Sequence, residues 1–260
     1  MNVLLTNDDG VHSQGIRSLA AKLAPWASLW ICAPKEQQSA MSHGITVRDT
    51  LRVRELAISG AKQAWSVEGR PADCVKIAIL MLLPEPVDLV ISGINEGSNL
   101  GTDTLYSGTV GAAMEAAMNG IPSMALSLAL RSRDEKTWDF SAAGDVGLEL
   151  FKNWMDGKLP LAPGSVLNVN VPDLPYGEIK GFRAARLGVQ KYSDAYDLRE
   201  EGEDGRSYYL LGERLPTGDE DLGNDLVAVD SGFVSLTPLT VDRTDYALLQ
   251  EMEKHMPESR

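Results

Sequence analysis

The sequence predicts an α/β protein: a doubly wound, mostly parallel sheet with helices on both faces, then a protruding β-hairpin region and a C-terminal helix. Three observations carry that expectation. In the first half, short apolar runs alternate with segments whose apolar residues recur at helical spacing. Those runs are continuously apolar, as strands of a parallel sheet are when both faces are buried. In the second half, β-like pieces are split by acidic, glycine-rich stretches such as "REEGEDGRS" and "PTGDEDLGND", which read as hairpins.

The elements follow in order. Val3 to Thr6 is a short buried strand, and Ile16, Leu19, Ala20 and Leu23 then recur at helical spacing. Leu29 to Ala33 is a second strand, closed by Pro34. Pro71 opens a helix that carries Val75 and Ile79 and stops at Pro84. Val87 to Ser92 is a third strand, "TVGAAMEAAMNG" a helix ending on Gly120, and "SMALSL" a further strand. A helix near 138–156 and a strand at 166–171 continue the core. Beyond it, "KGFRAARLGV", "RSYYLL" and "LVAVDSGFVSLTPL" read as β-like, and Thr244 to His255 as a terminal helix. The expected organisation is one unit over residues 1–260, with an α/β core to about 180 and a hairpin and C-terminal extension from about 181. A projecting hairpin needs a partner to cover it, so a homo-oligomer is expected.

Bulk properties narrow the function. The 260 residues carry a formal charge of -13, which argues against binding polymeric nucleic acid. A small anionic substrate is still compatible if a metal ion or a helix N-terminus supplies positive charge. Cys32 and Cys74 sit in apolar contexts and suit buried free thiols in a reducing compartment. The longest apolar run, Ile77 to Leu83, is too short to span a bilayer, and the first strand leaves no room for a secretory leader. The expected location is the cytoplasm, with no membrane partner.

In such sheets ligands bind beyond the carboxyl ends of the strands. Asp8 and Asp9 follow the first strand directly. One aspartate would suit a turn or helix cap. Two adjacent ones repel unless a cation lies between them, and hard divalent ions take carboxylate oxygens. The loop after the second strand offers Ser39 and Ser42, and the loop after the third offers Asn95 and Asn99. Three consecutive strand ends thus bring oxygen donors to one edge. In "LYSGTVGAAMEAAM", Ser107 can cap a helix, and Gly108 and Gly111 let the backbone come close to a ligand. The N–H groups of Gly108, Thr109 and Val110 would suit a phosphate there, or the segment is a plain cap with packing glycines. His12 and His43 lie in candidate site loops, His255 in the terminal helix, and Arg70 at a helix start where it could steer an anion or be solvated. Neither a Gly-x-Ser-x-Gly elbow nor a Walker A lysine motif is present.

The segments "LLTNDDGVHSQGI", "APKEQQSAMSHGIT", "GRPADCVKIA", "VDLVISGINEGSNLGTDTLYSGTVGAAMEA" and "GFVSLTPLTVDRTDY" resemble the SurE family, the survival-protein-E 5'-nucleotidases. The match runs in order from residue 1 to about 246, and the block from Val87 to Ala116 is its most specific part. The resemblance implies a Rossmann-like fold with a swapped hairpin and C-terminal extension, forming dimers or tetramers. It implies a metal-dependent phosphomonoesterase that cleaves nucleoside 5'-monophosphates, with 3'-monophosphates as the alternative. The implied metal ligands are Asp8, Asp9, Ser39 and Asn95, and the implied phosphate loop is Ser107, Gly108 and Thr109. Asn99 joins the substrate side. The chain departs from the pattern at Thr240, where many relatives carry histidine, and at Arg70, within a triplet often Gly-Thr-Pro.

The mechanism expected from these residues is attack by a water activated by one Mg²⁺ or Mn²⁺ per subunit, with Asp8 as the alternative nucleophile or base. Oxygen donors fit these ions better than zinc. A haloacid-dehalogenase-type phosphatase is the rival enzyme, but its acids stand two apart. A nucleotide-binding scaffold is the non-enzyme rival, and it leaves the acid pair unexplained.

Overall fold

A computed structural model of the chain describes residues 1–130, 138–193, 196–202, 205–210, 215–216, 218 and 220–256. In chain order the core elements are β1 (Asn2–Thr6), α1 (Gln14–Leu23), β2 (Ser28–Pro34), β3 (Val53–Leu56), β4 (Gln63–Val67), α2 (Pro71–Ile77), β5 (Leu89–Glu96), α3 (Gly108–Met118), β6 (Ser123–Ala129), α4 (Ser141–Met155) and β7 (Ser165–Pro172). After them come β8 (Phe182–Ala184), β9 (Tyr196–Gly202), β10 (Gly205–Leu210), α5 (Asp225–Asp230), β11 (Val234–Thr240) and α6 (Tyr246–His255).

The main sheet has nine strands in the order β3-β4-β2-β1-β5-β6-β7-β11-β8. From β4 to β7 every neighbouring pair is parallel. β3 and β11 run antiparallel to β4 and β7, and β8 pairs parallel with β11. The continuous apolar runs are explained by two buried faces. Val3 and Leu5 of β1 join one core cluster with Ile16, Leu19 and Leu23 of α1 and Val146 and Phe151 of α4. Leu4 points the other way, into a cluster with Cys74 and Val75 of α2 and Ala112 and Ala116 of α3. Each fully buried Leu, Ile or Phe contributes about 1.5–3 kcal/mol of transfer free energy.

The chain leaves β1 toward β2 on one side and later returns to place β5 on the other. β1 and β5 therefore flank the point where strand order reverses, and a crevice opens there beyond their carboxyl ends. The doubly wound, Rossmann-like expectation holds.

Several local expectations are corrected. The third strand does not stop at Ser92 but continues to Glu96, so Asn95 stands on β5 itself, after an irregularity in its pairing with β6. The region 53–67 contributes two strands that the apolar pattern did not reveal, because only Gln63–Val67 has a mostly buried face. "LVAVDSGFVSLTPL" is not β throughout. Asn224 accepts from Leu226 N at 3.0 Å and caps α5, and only Val234–Thr240 is strand. Of "KGFRAARLGV" only Phe182–Ala184 forms a strand, and Arg186 adds an isolated parallel bridge to Asn224. The hairpin β9–β10 forms a separate two-stranded antiparallel sheet, and Leu211 of "RSYYLL" lies outside the described residues. Cys32 and Cys74 are free and buried. Among the described residues no helix is long and apolar enough to cross a membrane.

Candidate active site

Asp8 follows β1 and is buried. A buried carboxylate needs donors, and α3 supplies them from across the crevice. The Thr109 amide donates to Oδ2 at 3.1 Å, and the Thr109 hydroxyl donates to Oδ1. Ser107 caps the same helix by accepting from Val110 N at 3.0 Å. This corrects one expectation. The amides of Thr109 and Val110 are engaged by Asp8 and by the Ser107 hydroxyl rather than left open for a phosphate. The close approach that the glycines permit is also to protein. A Cβ on Gly108 would lie 2.9 Å from Asp8 Oδ2, and one on Gly111 would lie 2.5 Å from Ser42 O.

Asp9 is tied to β5, accepting from Glu96 N at 3.0 Å, with Gln37 Nε2 at 3.5 Å on its other oxygen. Burial, and then the charge of Asp8, push its carboxyl up to about 7, and burial likewise raises Asp8. Two acids crowded in this way are an arrangement that a cation relieves.

The other two strand ends come in through residues next to the candidates. Gln38 N donates to Asp8 O at 2.7 Å, so Ser39 begins one residue from the acid pair. Ser39 is exposed. Asn95, beside the Glu96 that holds Asp9, spends its Nδ2 on Gly97 O at 2.8 Å, which turns Oδ1 away from that bond. At the end of β1 and in the middle of β5, Thr6 Oγ1, Asn7 Oδ1 and Ser92 Oγ are buried without a hydrogen-bond partner among the described residues. Buried polar atoms are normally satisfied, so these mark a polar floor suited to a hydrated ion. Among the described residues no group of three or more His, Cys, Asp or Glu could hold a metal. The fit therefore depends on two carboxylates completed by neutral oxygens, a donor set that suits Mg²⁺ or Mn²⁺.

Asn99 is placed differently from the rest. Its Nδ2 donates to Ser127 Oγ at 2.8 Å, its N–H to Asn170 Oδ1 at 2.8 Å, and its carbonyl accepts from Asn168 and Asn170. It turns inward and anchors the loop. Arg70 and His12 are exposed, and His255 pairs with Glu251 Oε1 at 3.0 Å on α6. Thr240 ends β11 on the wall of a cavity of about 690 Å³. The cavity begins at Ser107 and Val110, stops short of the acid pair, and is walled by Leu105, Met114, Leu187 and Leu239. The sequence reading missed the partnership of His43 with Glu115, whose Oε2 lies 3.0 Å from His43 Nε2. A lone buried glutamate on an otherwise apolar helix was the signal available for it.

The model of the family described as "Survival protein SurE" matches residues 3–194. "5'-nucleotidase SurE" of Heliobacterium modesticaldum is 43% identical over 253 residues, covering 97% of this chain and 90% of the relative. The protein of the same name from Syntrophomonas wolfei is 41% identical, covering 98% and 94%. The crystal structure of the SurE protein from Aquifex aeolicus superposes with a TM-score of 0.82 at 34% identity, over 98% of this chain and 99% of that one. With its acid pair at the strand-order reversal and this similarity along nearly its whole length, the chain belongs to the SurE family.

Proposed function

We propose that this chain is a metal-dependent 5'-nucleotidase that hydrolyses nucleoside 5'-monophosphates to nucleoside and phosphate. The observation that carries the reading is the acid pair, Asp8 buried and Asp9 half-buried, with the loop after β2 and the end of β5 hydrogen-bonded onto it. The names of its relatives, 5'-nucleotidase SurE, point the same way.

Asp8, Asp9, Ser39 and Asn95 would hold one Mg²⁺ or Mn²⁺. That ion supplies Lewis acidity toward the phosphoryl oxygens and the attacking water. Ser107, Gly108 and Thr109 lie on the phosphate side, where the positive end of α3 acts through its dipole because its amides are engaged. Both Asp8 oxygens already accept from Thr109, which favours water over Asp8 as nucleophile. The nucleoside would enter the cavity beside Ser107, whose apolar walls and volume suit a ligand of that size.

The working form would be a homodimer or homotetramer. No residue of α6 is buried, and Leu248 and Met252 are exposed there. The division into a core to about 180 and an oligomerisation extension belongs to the same proposal, although β8 and β11 return to the main sheet. Two buried free thiols support a cytoplasmic location, and the charge of -13 supports the exclusion of polymeric nucleic acid.

Phosphate release from a panel of nucleoside monophosphates tests the reading. The assay runs after EDTA treatment and again with Mg²⁺ or Mn²⁺ restored, for the native chain and for Asp8→Asn. Metal-restored turnover that the substitution abolishes is the expected result. Full turnover in EDTA would overturn the metal, and no turnover with any nucleotide would overturn the activity.

A further inference from the structure

Glu115 lies on α3, two turns beyond Asp8's partner Thr109, and its side chain is only 4% exposed. The proposed chemistry does not use it. Its two oxygens have different partners. Lys76 Nζ of α2 reaches Oε1 at 2.8 Å, a contact between two packed helices. His43 Nε2 meets Oε2 at 3.0 Å, and His43 belongs to the irregular loop that carries Ser39. Hydrogen bonding from His43, with Lys76 behind it, holds the Glu115 carboxyl down to about 2, so it stays ionised and ready to accept.

The loop needs such a hold. Between Ser39 and His43 the backbone passes through two non-glycine residues in the left-handed region, Ala40 at φ 57 and Ser42 at φ 52. Residues persist there only where their surroundings over-determine them. Ser42 N donates to Tyr106 O at 2.9 Å, and Ser42 Oγ donates to Leu105 O at 2.7 Å. These two contacts fix one side of the turn. The other side rests on α3 at Gly111, where a Cβ would stand 2.9 Å from His43 Cα. The His43–Glu115 contact closes that side with a charged acceptor.

We infer that Glu115 is a positioning residue: it holds His43 against α3, fixes the turn at 40–42, and so sets where Ser39 stands relative to Asp8. The inference rests on the reading of Ser39 as a ligand of the bound ion. It differs from a plain stabilising pair, because disturbing it should loosen the ion before it loosens the fold.

The test measures Mn²⁺ binding to the full chain by calorimetry without substrate, with circular dichroism to confirm folding. The variants are His43→Ala, His43→Gln, Glu115→Gln and Ser39→Ala. Residues that orient a metal ligand typically govern about 10–100-fold in affinity, so His43→Ala should weaken Mn²⁺ binding about tenfold or more. His43→Gln places an amide donor where Nε2 stood and should recover most of that loss. Glu115→Gln keeps a carbonyl acceptor and should fall between native and His43→Ala. Added to Ser39→Ala, His43→Ala should cost little further, because both act through one ligand. A folded His43→Ala that binds Mn²⁺ like the native chain would overturn the inference, as would fully additive losses. Trypsin cleavage after Lys35 and Arg48 provides a readout independent of metal. His43→Ala should be cut there faster than the native chain. If the native chain binds no Mn²⁺, the ligand reading has failed, and unchanged cleavage then sinks the latch as well.

Discussion

Gly108 shows how tightly the start of α3 closes on Asp8. A methyl group there would stand 2.9 Å from Asp8 Oδ2 and 3.2 Å from Pro71 Cγ. Gly108→Ala should therefore displace the carboxylate. Overpacking of this kind costs about 1–3 kcal/mol in stability, measured as a shift in urea midpoint. The loss in kcat/KM should exceed what that instability explains. A variant that keeps full activity would show that Asp8 does not need its place on Thr109. Glu115 makes a second prediction. Its carboxyl is held at about 2 against an ordinary 4.5, so the folded state favours the charged form. Its contribution is present above about pH 4.5 and is lost as pH falls toward 2. Urea midpoints measured across that window should drop less steeply in Glu115→Gln. An identical slope would place the acid sensitivity on other carboxylates.

At the scale of elements, α3 and the segment after β5 are built differently. Every residue of α3 from Gly108 to Ala117 is buried, so its hydrophobic content has no exposed face to balance. Its Ser107 cap therefore fixes where the helix begins. Ser107→Ala should cost about 1 kcal/mol through the lost bond to Val110 N, read by thermal or urea unfolding. The segment after β5 is held instead by a buried polar cluster of Asn99, Ser127, Asn168 and Asn170. Asn99→Ala leaves Ser127 without that partner and should cost about 1–3 kcal/mol. KM for nucleoside monophosphate should hold, because the Asn99 amide faces the sheet. A large rise in KM with unchanged stability would return Asn99 to the substrate.

At the scale of the whole molecule, strand order places the site. β1 and β5 are neighbours although they lie far apart in the chain: Val3 pairs with Leu89 and Thr6 with Ser92. Helices leave them on opposite faces, so the crevice between them collects the loops of β1, β2 and β5. The second half of the chain builds little core of its own. β8 and β11 extend the main sheet, while β9–β10 stands apart and α6 buries no residue. Removing Tyr246 to Arg260 should lower the assembly mass measured by light scattering and leave the core folded by circular dichroism. An unchanged mass would place the association elsewhere.

By itself the sequence determined the strand-helix alternation, the placing of Asp8 and Asp9 at a strand end, and the capped start of α3. These are local signals: an apolar run, a pair of adjacent acids, a serine before a glycine. The sequence did not reveal α5, because Leu226 to Val229 is apolar enough for either a strand or a helix, and the Asn224 cap decides. It did not reveal that β5 runs on through Asn95, since pairing with β6 extends the strand past its apolar stretch. Only the tertiary structure decided what Asp8 and Glu115 touch. Thr109 lies 101 residues from Asp8, and His43 lies 72 residues from Glu115. No periodicity spans such distances. Those contacts exist because the sheet's strand order and the packing of α3 against it bring remote segments together, and burial makes each carboxylate depend on the donors that this packing supplies.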